Sequence, residues 1–280
     1  MFDIRSTLNC KGKLLNLETP LVMGILNVTP DSFYDGGQYQ QADEILRQAE
    51  KMLTEGAAIL DIGGMSSKPG SPLISEAEEL RRVIPTIQTI LKHFPNTILS
   101  IDTVQSEVTK QSVEAGASIV NDISAGRLDA RLYPTVAALD VPYVLMHMQG
   151  TPETMQQNPV YEDVVQEVLD FFITEVGKLR ALGVKDILLD VGFGFGKTLA
   201  HNYQLLKHLH VFKILDLPIL TGLSRKSMVY KPFGGSAKQG LNGTTALHMV
   251  ALQQGSSILR VHDVREAGEV IQLWKQLEES

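Results

Sequence analysis

Eight short apolar runs in this chain each stop on polar side chains that can bind or activate a ligand. They end at Asn27, Asp61, Asp102, Asn121-Asp122, His147, Asp190, Ser224-Arg225-Lys226 and Arg260-Val261-His262. Carboxylates and amides suit the donor and acceptor edge of a heterocycle, whereas Lys226, Arg260 and His262 suit an anion. Taken singly, each reads equally well as a helix cap or a turn residue. Brought together, they imply a ligand that carries both a polar ring and a phosphate group.

What brings them together is an alternation of strand and helix along the chain. The predicted strands are 22–27, 59–62, 98–102, 119–123, 143–147, 187–191, 219–223 and 258–261. Predicted helices follow at about 42–55, 75–92, 106–115, 128–139, 161–182, 201–213, 243–254 and 264–277. Ser75 with Glu78 forms a capping-box pattern at one helix start. Uninterrupted apolar strands imply burial on both faces, as in a parallel sheet, and eight β/α units predict an α/β fold that is a single (β/α)8 TIM barrel. A doubly wound open sheet is the second choice. Residues 1–20 read as a short hairpin lead centred on Lys11-Gly12-Lys13, and 21–280 as the barrel, so that 1–280 is one domain. No linker or charge block divides the chain. In such a barrel the C-terminal strand ends carry the chemistry, which is where the polar residues fall.

Composition narrows the classes further. With 44% hydrophobic and 20% charged residues, the chain is neither extended and disordered nor collagen-like. The balance of 25 Lys+Arg against 32 Asp+Glu, a net charge of −7, disfavours nucleic acid as a partner. Cys10 is the only cysteine, which excludes an internal disulfide and a multi-cysteine zinc site. No run approaches the ~18 apolar residues of a membrane span, and the first residues lack a basic-then-apolar signal, so a cytoplasmic protein is expected. Two patterns mislead. Gly192-Phe-Gly-Phe-Gly-Lys-Thr198 looks like a nucleotide loop, but the glycine required five residues before Gly-Lys is Val191. His201, His208 and His210 fall on one predicted helix among leucines, where a solvated face outweighs a zinc site. His147 reads as a structural histidine, and Arg81-Arg82 as an exposed helix turn.

Several segments, in order, are recognisable: Gly24-Ile-Leu-Asn-Val-Thr-Pro-Asp-Ser-Phe33 with Asp35-Gly-Gly37, Asp61-Ile-Gly-Gly64, Asn121-Asp-Ile123, Met146-His-Met-Gln-Gly150, Gly192-Phe-Gly-Phe-Gly-Lys197, Ser224-Arg-Lys-Ser227 and Arg260-Val-His-Asp263. From about Met23 to Asp263 the chain closely resembles the dihydropteroate synthases. The resemblance implies a (β/α)8 barrel, a homodimer, and a folate-pathway transferase that is a target of sulfonamides. Its substrates would be 6-hydroxymethyl-7,8-dihydropterin pyrophosphate and p-aminobenzoate, with Mg2+ assisting pyrophosphate release.

By motif position, the resemblance implies that Asp102, Asn121, Asp190 and Lys226 hold the pterin, with Met146 and Phe195 in its pocket. Asn27, Arg260 and His262 would bind the pyrophosphate, with Asn27 also at the metal, and Lys226, Arg260 and His262 would be catalytic. Phe33, Ser67, Lys68, Pro69 and Ser227 would border p-aminobenzoate. The segments carrying the first four are rich in turn formers, which predicts mobile loops. Pterin-binding barrels of corrinoid-dependent methyltransferases are the alternative; they have no use for Arg260-Val-His262 or Ser66-Ser-Lys-Pro-Gly70. A catalytically silent pterin-binding scaffold is countered by the retained anion and metal ligands.

Two segments depart from the family's Gly-Gly-Glu-Ser-Thr-Arg-Pro-Gly and Asp-Pro-Gly patterns. This chain has Met65 and Lys68 in the former and Val191 in the latter. Lysine keeps the charge of arginine without its planar fork. Lys68→Arg is therefore predicted to be neutral or mildly beneficial, and Lys68→Ala to lower turnover with pterin affinity nearly unchanged. Steady-state kinetics paired with direct pterin titration checks both, and an alanine variant that turns over like the parent contradicts the role.

Overall fold

The eight apolar runs are eight parallel strands that close on themselves in chain order. The computed structural model describes residues 7–28, 38–65, 73–151, 154–155 and 158–280, with side chains from residue 43 onward in the second stretch. A hairpin of β1 (Thr7–Cys10) and β2 (Lys13–Asn16) precedes the barrel. The barrel strands are β3 (Leu21–Asn27), β4 (Ile59–Gly63), β5 (Ile98–Asp102), β6 (Ile119–Asp122), β7 (Tyr143–Met146), β8 (Ile187–Asp190), β9 (Ile219–Thr221) and β10 (Ser256–Val261). β10 pairs back onto β3, which closes the ring.

Alternation along each strand divides the interior from the helix-facing layer. Met23, Ile59, Ile119, Val144, Leu188, Leu220 and Ile258 point into the lower barrel. There they meet Leu8, Cys10, Leu15 and Leu17 of the hairpin in one buried cluster. The hairpin is thus a plug, held by Asn9 N–H on Asp186 (3.0 Å) and by Lys11 Nζ on the Val113 carbonyl (2.7 Å). The intervening residues, such as Leu60, Leu99, Val120, Leu145, Leu189 and Leu259, face the surrounding helices in the main core.

The helices are α1 (Gln38–Thr54), α2 (Glu76–His93), α3 (Ser106–Ala115), α4 (Leu132–Leu139), α5 (Val164–Ala181), α6 (Leu199–Lys207), α7 (Ser227–Tyr230), α8 (Leu241–Gln253) and α9 (Val264–Glu279). Three sequence expectations change. The helix expected over 201–213 ends at Lys207 and continues as a 3-10 stretch over Leu209–Leu215, so His208 and His210 leave the helix that carries His201. Ser75 caps α2 through the Glu78 N–H (3.3 Å), but the Glu78 carboxylate turns to Arg81 and Arg82 instead of completing the box. The short α7 after β9 has no counterpart in the sequence reading, because four residues carry too little periodicity. Among the described residues, no helix is long and apolar enough to cross a membrane.

His248 on α8 is a fault line in this core. It is 1% exposed, and neither ring nitrogen has a hydrogen-bond partner. Burial pushes its imidazole down to about 4, against the opposing pull of Asp263. The unfolded chain, with an ordinary histidine, takes up this proton at a higher pH than the folded one. Stability is therefore lost as pH falls from about 6.5 toward 4, by roughly 3 kcal/mol for this group at the acid limit. We predict that His248→Leu raises stability at pH 7 by about 1 kcal/mol and flattens the acid slope, as read from urea unfolding at pH 5 and pH 7.5.

Candidate active site

Register places the polar strand ends on common rows of the ladder. Asn27, Gly63, Asp102 and Asn121 are successive partners across β3, β4, β5 and β6. One row lower, Asp61 pairs with Ile25 and Ser100. Gly63 lacks a side chain where one would crowd this row: a methyl group there would lie 3.3 Å from Asn27 Oδ1 and 3.7 Å from Asp102 Cβ. A methyl group on Gly222, just after β9, would likewise lie 3.7 Å from Asp190 Oδ2, 3.9 Å from Lys226 Nζ and 4.0 Å from Arg260 Cβ. Asp190, Lys226 and Arg260 therefore flank one point just after β9, at the C-terminal end of the barrel.

Arg260 sits at the centre of the charges. Its Nε donates to Asp61 Oδ2 and its Nη2 to Asp102 Oδ2, both at 2.6 Å, and Asp61 Oδ2 also accepts from Asn121 Nδ2 at 3.0 Å. Burial pushes the Asp102 carboxyl up to about 7, while the Arg260 guanidinium pulls it back and the Asp61 charge adds to the rise. Burial raises Asp190 as well, with Lys226 opposing. Lys226 is brought down to about 8 by its own burial, which the Asp190 charge resists. Its ammonium donates to the Phe193 carbonyl (2.6 Å) and stands 4.6 Å from the centre of the Phe195 ring. Met146 and Phe195 belong to an apolar cluster with Met65, Val104, Ile123, Met148 and Met155. The departure at Met65 is thus accommodated by an apolar wall.

Lys226 is aimed by its neighbour. Arg225 adopts a left-handed φ of 54°, clamped by two bonds to Asp263 (2.7 and 2.8 Å) and by the Ala237 and Lys238 carbonyls. Arg225 is therefore spent on structure, and Lys226 is the residue just before α7, which begins at Ser227. His262 follows β10; its Nδ1 lies 3.1 Å from Ser224 Oγ, which also accepts the His262 N–H at 3.2 Å. Burial, with Arg260 beside it, brings the imidazole down to about 4, so near neutral pH it meets an anion as a neutral hydrogen-bond donor. Asp122, paired with Asn121 in the sequence reading, turns away from the mouth. It takes Tyr143 Oη at 2.6 Å and the N–H groups of Ser124 and Gly126 at 2.7 Å, closing the turn after β6. Phe33, Ser67, Lys68 and Pro69 lie outside the described residues, as does Asp35.

Three contributors have roles that sequence reasoning missed: Arg82, Gln105 and Lys197. Arg82 is not simply exposed: its Nη1 holds the Gly64 carbonyl (2.9 Å) at the near end of the second loop. Gln105, bonded to the buried Glu79, reaches the Ile74 carbonyl at the far end (3.4 Å). Lys197 is the hub of the glycine-rich turn. Its Nζ donates to the carbonyls of Phe195 (2.9 Å), Gly192 (3.0 Å) and His147 (3.2 Å), and lies 3.0 Å from His147 Nδ1. Burial pulls the Lys197 ammonium well below its ordinary value, with the Asp190 charge opposing; carbonyls only accept, and three of them favour the three N–H groups of the charged form. His147 is brought down to about 2 by burial and by the Lys197 charge, and is structural, as expected. The glycines serve the same packing: at Gly192, φ +68°, an added Cβ would lie 2.0 Å from the His147 carbonyl oxygen.

Comparison with known proteins places this arrangement. The sequence profile of the pterin-binding enzymes matches residues 23–262. The dihydropteroate synthase of Haemophilus influenzae is 42% identical over 270 residues, covering 96% of this chain and 98% of the relative. The Yersinia pestis dihydropteroate synthase solved with a sulfonamide drug complex superposes with a TM-score of 0.92 at 42% identity, covering 98% of this chain and all of that one. The Xanthomonas albilineans enzyme with 4-aminobenzoic acid gives 0.91 at 40% identity, covering 98% and 99%.

Lys197→Met removes every N–H from three buried carbonyls. The predicted cost is about 2 kcal/mol or more, since each orphaned acceptor keeps its desolvation penalty. Lys197→Arg restores little, because the planar fork does not match a three-carbonyl cradle. Urea unfolding of both variants is the check, and parental stability in the methionine variant would contradict the hub.

Proposed function

Since the chain belongs to the pterin-binding enzymes, and among them to the dihydropteroate synthases, we propose that the polar row at its barrel mouth joins 6-hydroxymethyl-7,8-dihydropterin pyrophosphate to p-aminobenzoate. The reaction transfers a pterinylmethyl group to an arylamine, giving 7,8-dihydropteroate and pyrophosphate. The observation that supports this placement is that Asp190 Oδ2, Lys226 Nζ and Arg260 Cβ all lie within 4.0 Å of where a methyl group on Gly222 would stand.

Each residue has a part that its chemistry supports. Asp102 and Asp190 accept paired N–H groups from the aminopyrimidinone, a charge-assisted contact that fixes orientation as well as adding affinity. Asn121 and Lys226 complete the ring contacts, against the wall of Met146 and Phe195. Arg260 and the neutral donor His262 take the pyrophosphate with Asn27, while Ser227 and the loop residues Phe33, Ser67, Lys68 and Pro69 border the arylamine.

The bond from the pterin methylene carbon to the pyrophosphate oxygen breaks, and its electron pair leaves with the pyrophosphate. The electron-rich dihydropterin stabilises the cation that forms. The amine nitrogen of p-aminobenzoate then bonds to the carbon and sheds a proton. Pre-set donors on the departing oxygens lower the barrier most, which is the work of Arg260, His262 and Lys226. No covalent nucleophile is required. Asn27 offers a hard amide oxygen beside Gly63 and Asp102, a donor of the kind Mg2+ accepts together with phosphate oxygens and water. When bound, the ion would neutralise charge on the leaving group.

The same reading includes a cytoplasmic homodimer, which light scattering tests. Sulfonamides, themselves anilines, are expected to compete for the arylamine space. Pyrophosphate release that requires both substrates tests the activity itself. Asp102→Asn or Asp190→Asn is predicted to weaken pterin binding by about 1.5 to 3 kcal/mol, read by calorimetry. Unchanged affinity in both would remove these residues from the pocket. A carboxylate, not a carboxylic acid, accepts two N–H groups. With Asp102 raised to about 7, parental affinity should increase from pH 6 to pH 8, and Asp102→Asn should flatten that rise.

A further inference from the structure

Asp61 lies below the proposed ligand row and is fully buried, at 0% exposure. It cannot touch a substrate entering from the mouth. Yet one of its oxygens, Oδ2, accepts from both Arg260 Nε (2.6 Å) and Asn121 Nδ2 (3.0 Å). The other, Oδ1, is buried without a hydrogen-bond partner.

The consequences differ at the two partners. An amide has a donor end and an acceptor end of nearly equal shape, so its orientation is set by what it faces. A carboxylate only accepts, and the reversed Asn121 amide would set two oxygens 3.0 Å apart. Nδ2 is therefore committed to Asp61, and Oδ1 is left for a ligand N–H. Arg260 is divided in a similar way. Nε goes to Asp61 and Nη2 to Asp102, and among the described residues Nη1 has no hydrogen-bond partner. The two N–H groups of Nη1 and the second N–H of Nη2 are left for an anion.

We propose that Asp61 is the positioning residue of this site: a buried carboxylate that presents Asn121 as an acceptor and holds Arg260 by its Nε, so that ring recognition and anion capture share one anchoring atom. The inference rests on the pterin and pyrophosphate roles given above to Asn121 and Arg260. It adds a residue that acts only through them.

The test is a double-mutant cycle in the full chain, read by calorimetric titration with 6-hydroxymethyl-7,8-dihydropterin and, separately, with inorganic pyrophosphate. Asp61→Ala should weaken the pterin at least tenfold, because the Asn121 amide loses what orients it, and should also weaken pyrophosphate. Asp61→Asn should recover most of the pterin affinity, since one amide oxygen can still accept from both donors. In an Asn121→Ala background, Asp61→Ala should cost the pterin less than threefold further, because the two residues act as one unit. Additive losses, or equal losses in Asp61→Ala and Asp61→Asn, overturn the positioning role. Asn121→Ala binding pterin like the parent overturns the site reading instead. Should Asp61→Ala fail to fold by circular dichroism, Asp61→Ser takes its place, as its hydroxyl is too short to bridge both donors.

Discussion

A guanidinium between two carboxylates, deep in a barrel interior, is the constraint around which the upper half of this molecule is arranged. Arg260 reaches across from β10 to Asp61 on β4 and Asp102 on β5, spanning 199 and 158 residues of sequence. Burying three charges is expensive, and the cost is offset only when geometry and hydrogen bonding are nearly complete. Here each short contact also commits a neighbour, Asn121 through Asp61 and the rise of Asp102 through its burial. The lower half of the barrel is apolar and could be filled by many side-chain combinations. The upper half admits few, because its hydrogen bonds share atoms, so that a change at Arg260, Asp61 or Asn121 reaches the other two.

A second layer keeps that arrangement in place without taking part in it. Lys197 gathers three carbonyls from the ends of β7 and β8, and the turn it shapes presents the Phe193 carbonyl and the Phe195 ring to Lys226. Arg225 and Asp263 do the equivalent between the ends of β9 and β10. In both cases a buried or half-buried cation ties adjacent strand ends together. The mouth of the barrel is therefore stiffened by charge where the floor is stiffened by packing.

These ties explain what the amino-acid sequence discloses and what it hides. Strand positions were legible because apolar runs such as Ile98–Asp102 and Tyr143–Met146 are buried on both faces, and burial is a local property of composition. Strand ends were legible because a polar residue after such a run is conspicuous. The direction of each polar side chain was not: Asn121 and Asp122 are adjacent, and only the two-residue pleat decides which one faces the mouth. Arg225 and Lys226 form the same kind of pair, separated by a left-handed φ. Lys197 stood out for its glycines, but its three acceptors lie on two turns, and nothing local announces that they meet. Arg82 was read as surface because the Gly64 carbonyl it holds lies 18 residues away.

The hairpin plug has a consequence for traffic. With Leu8, Cys10, Leu15 and Leu17 packed against the interior side chains of the floor, that end of the barrel is closed by apolar packing, and ligands meet the strand ends from the other end. Molecules sharing that one end form a queue, and a ligand seated among the strand ends must arrive before one resting on the rim and can depart only after it. Turnover then favours a pair that leaves as a single bonded product over a pair that must unstack. The apolar floor thus confines such a queue to one face of the barrel, with side chains that never meet either substrate.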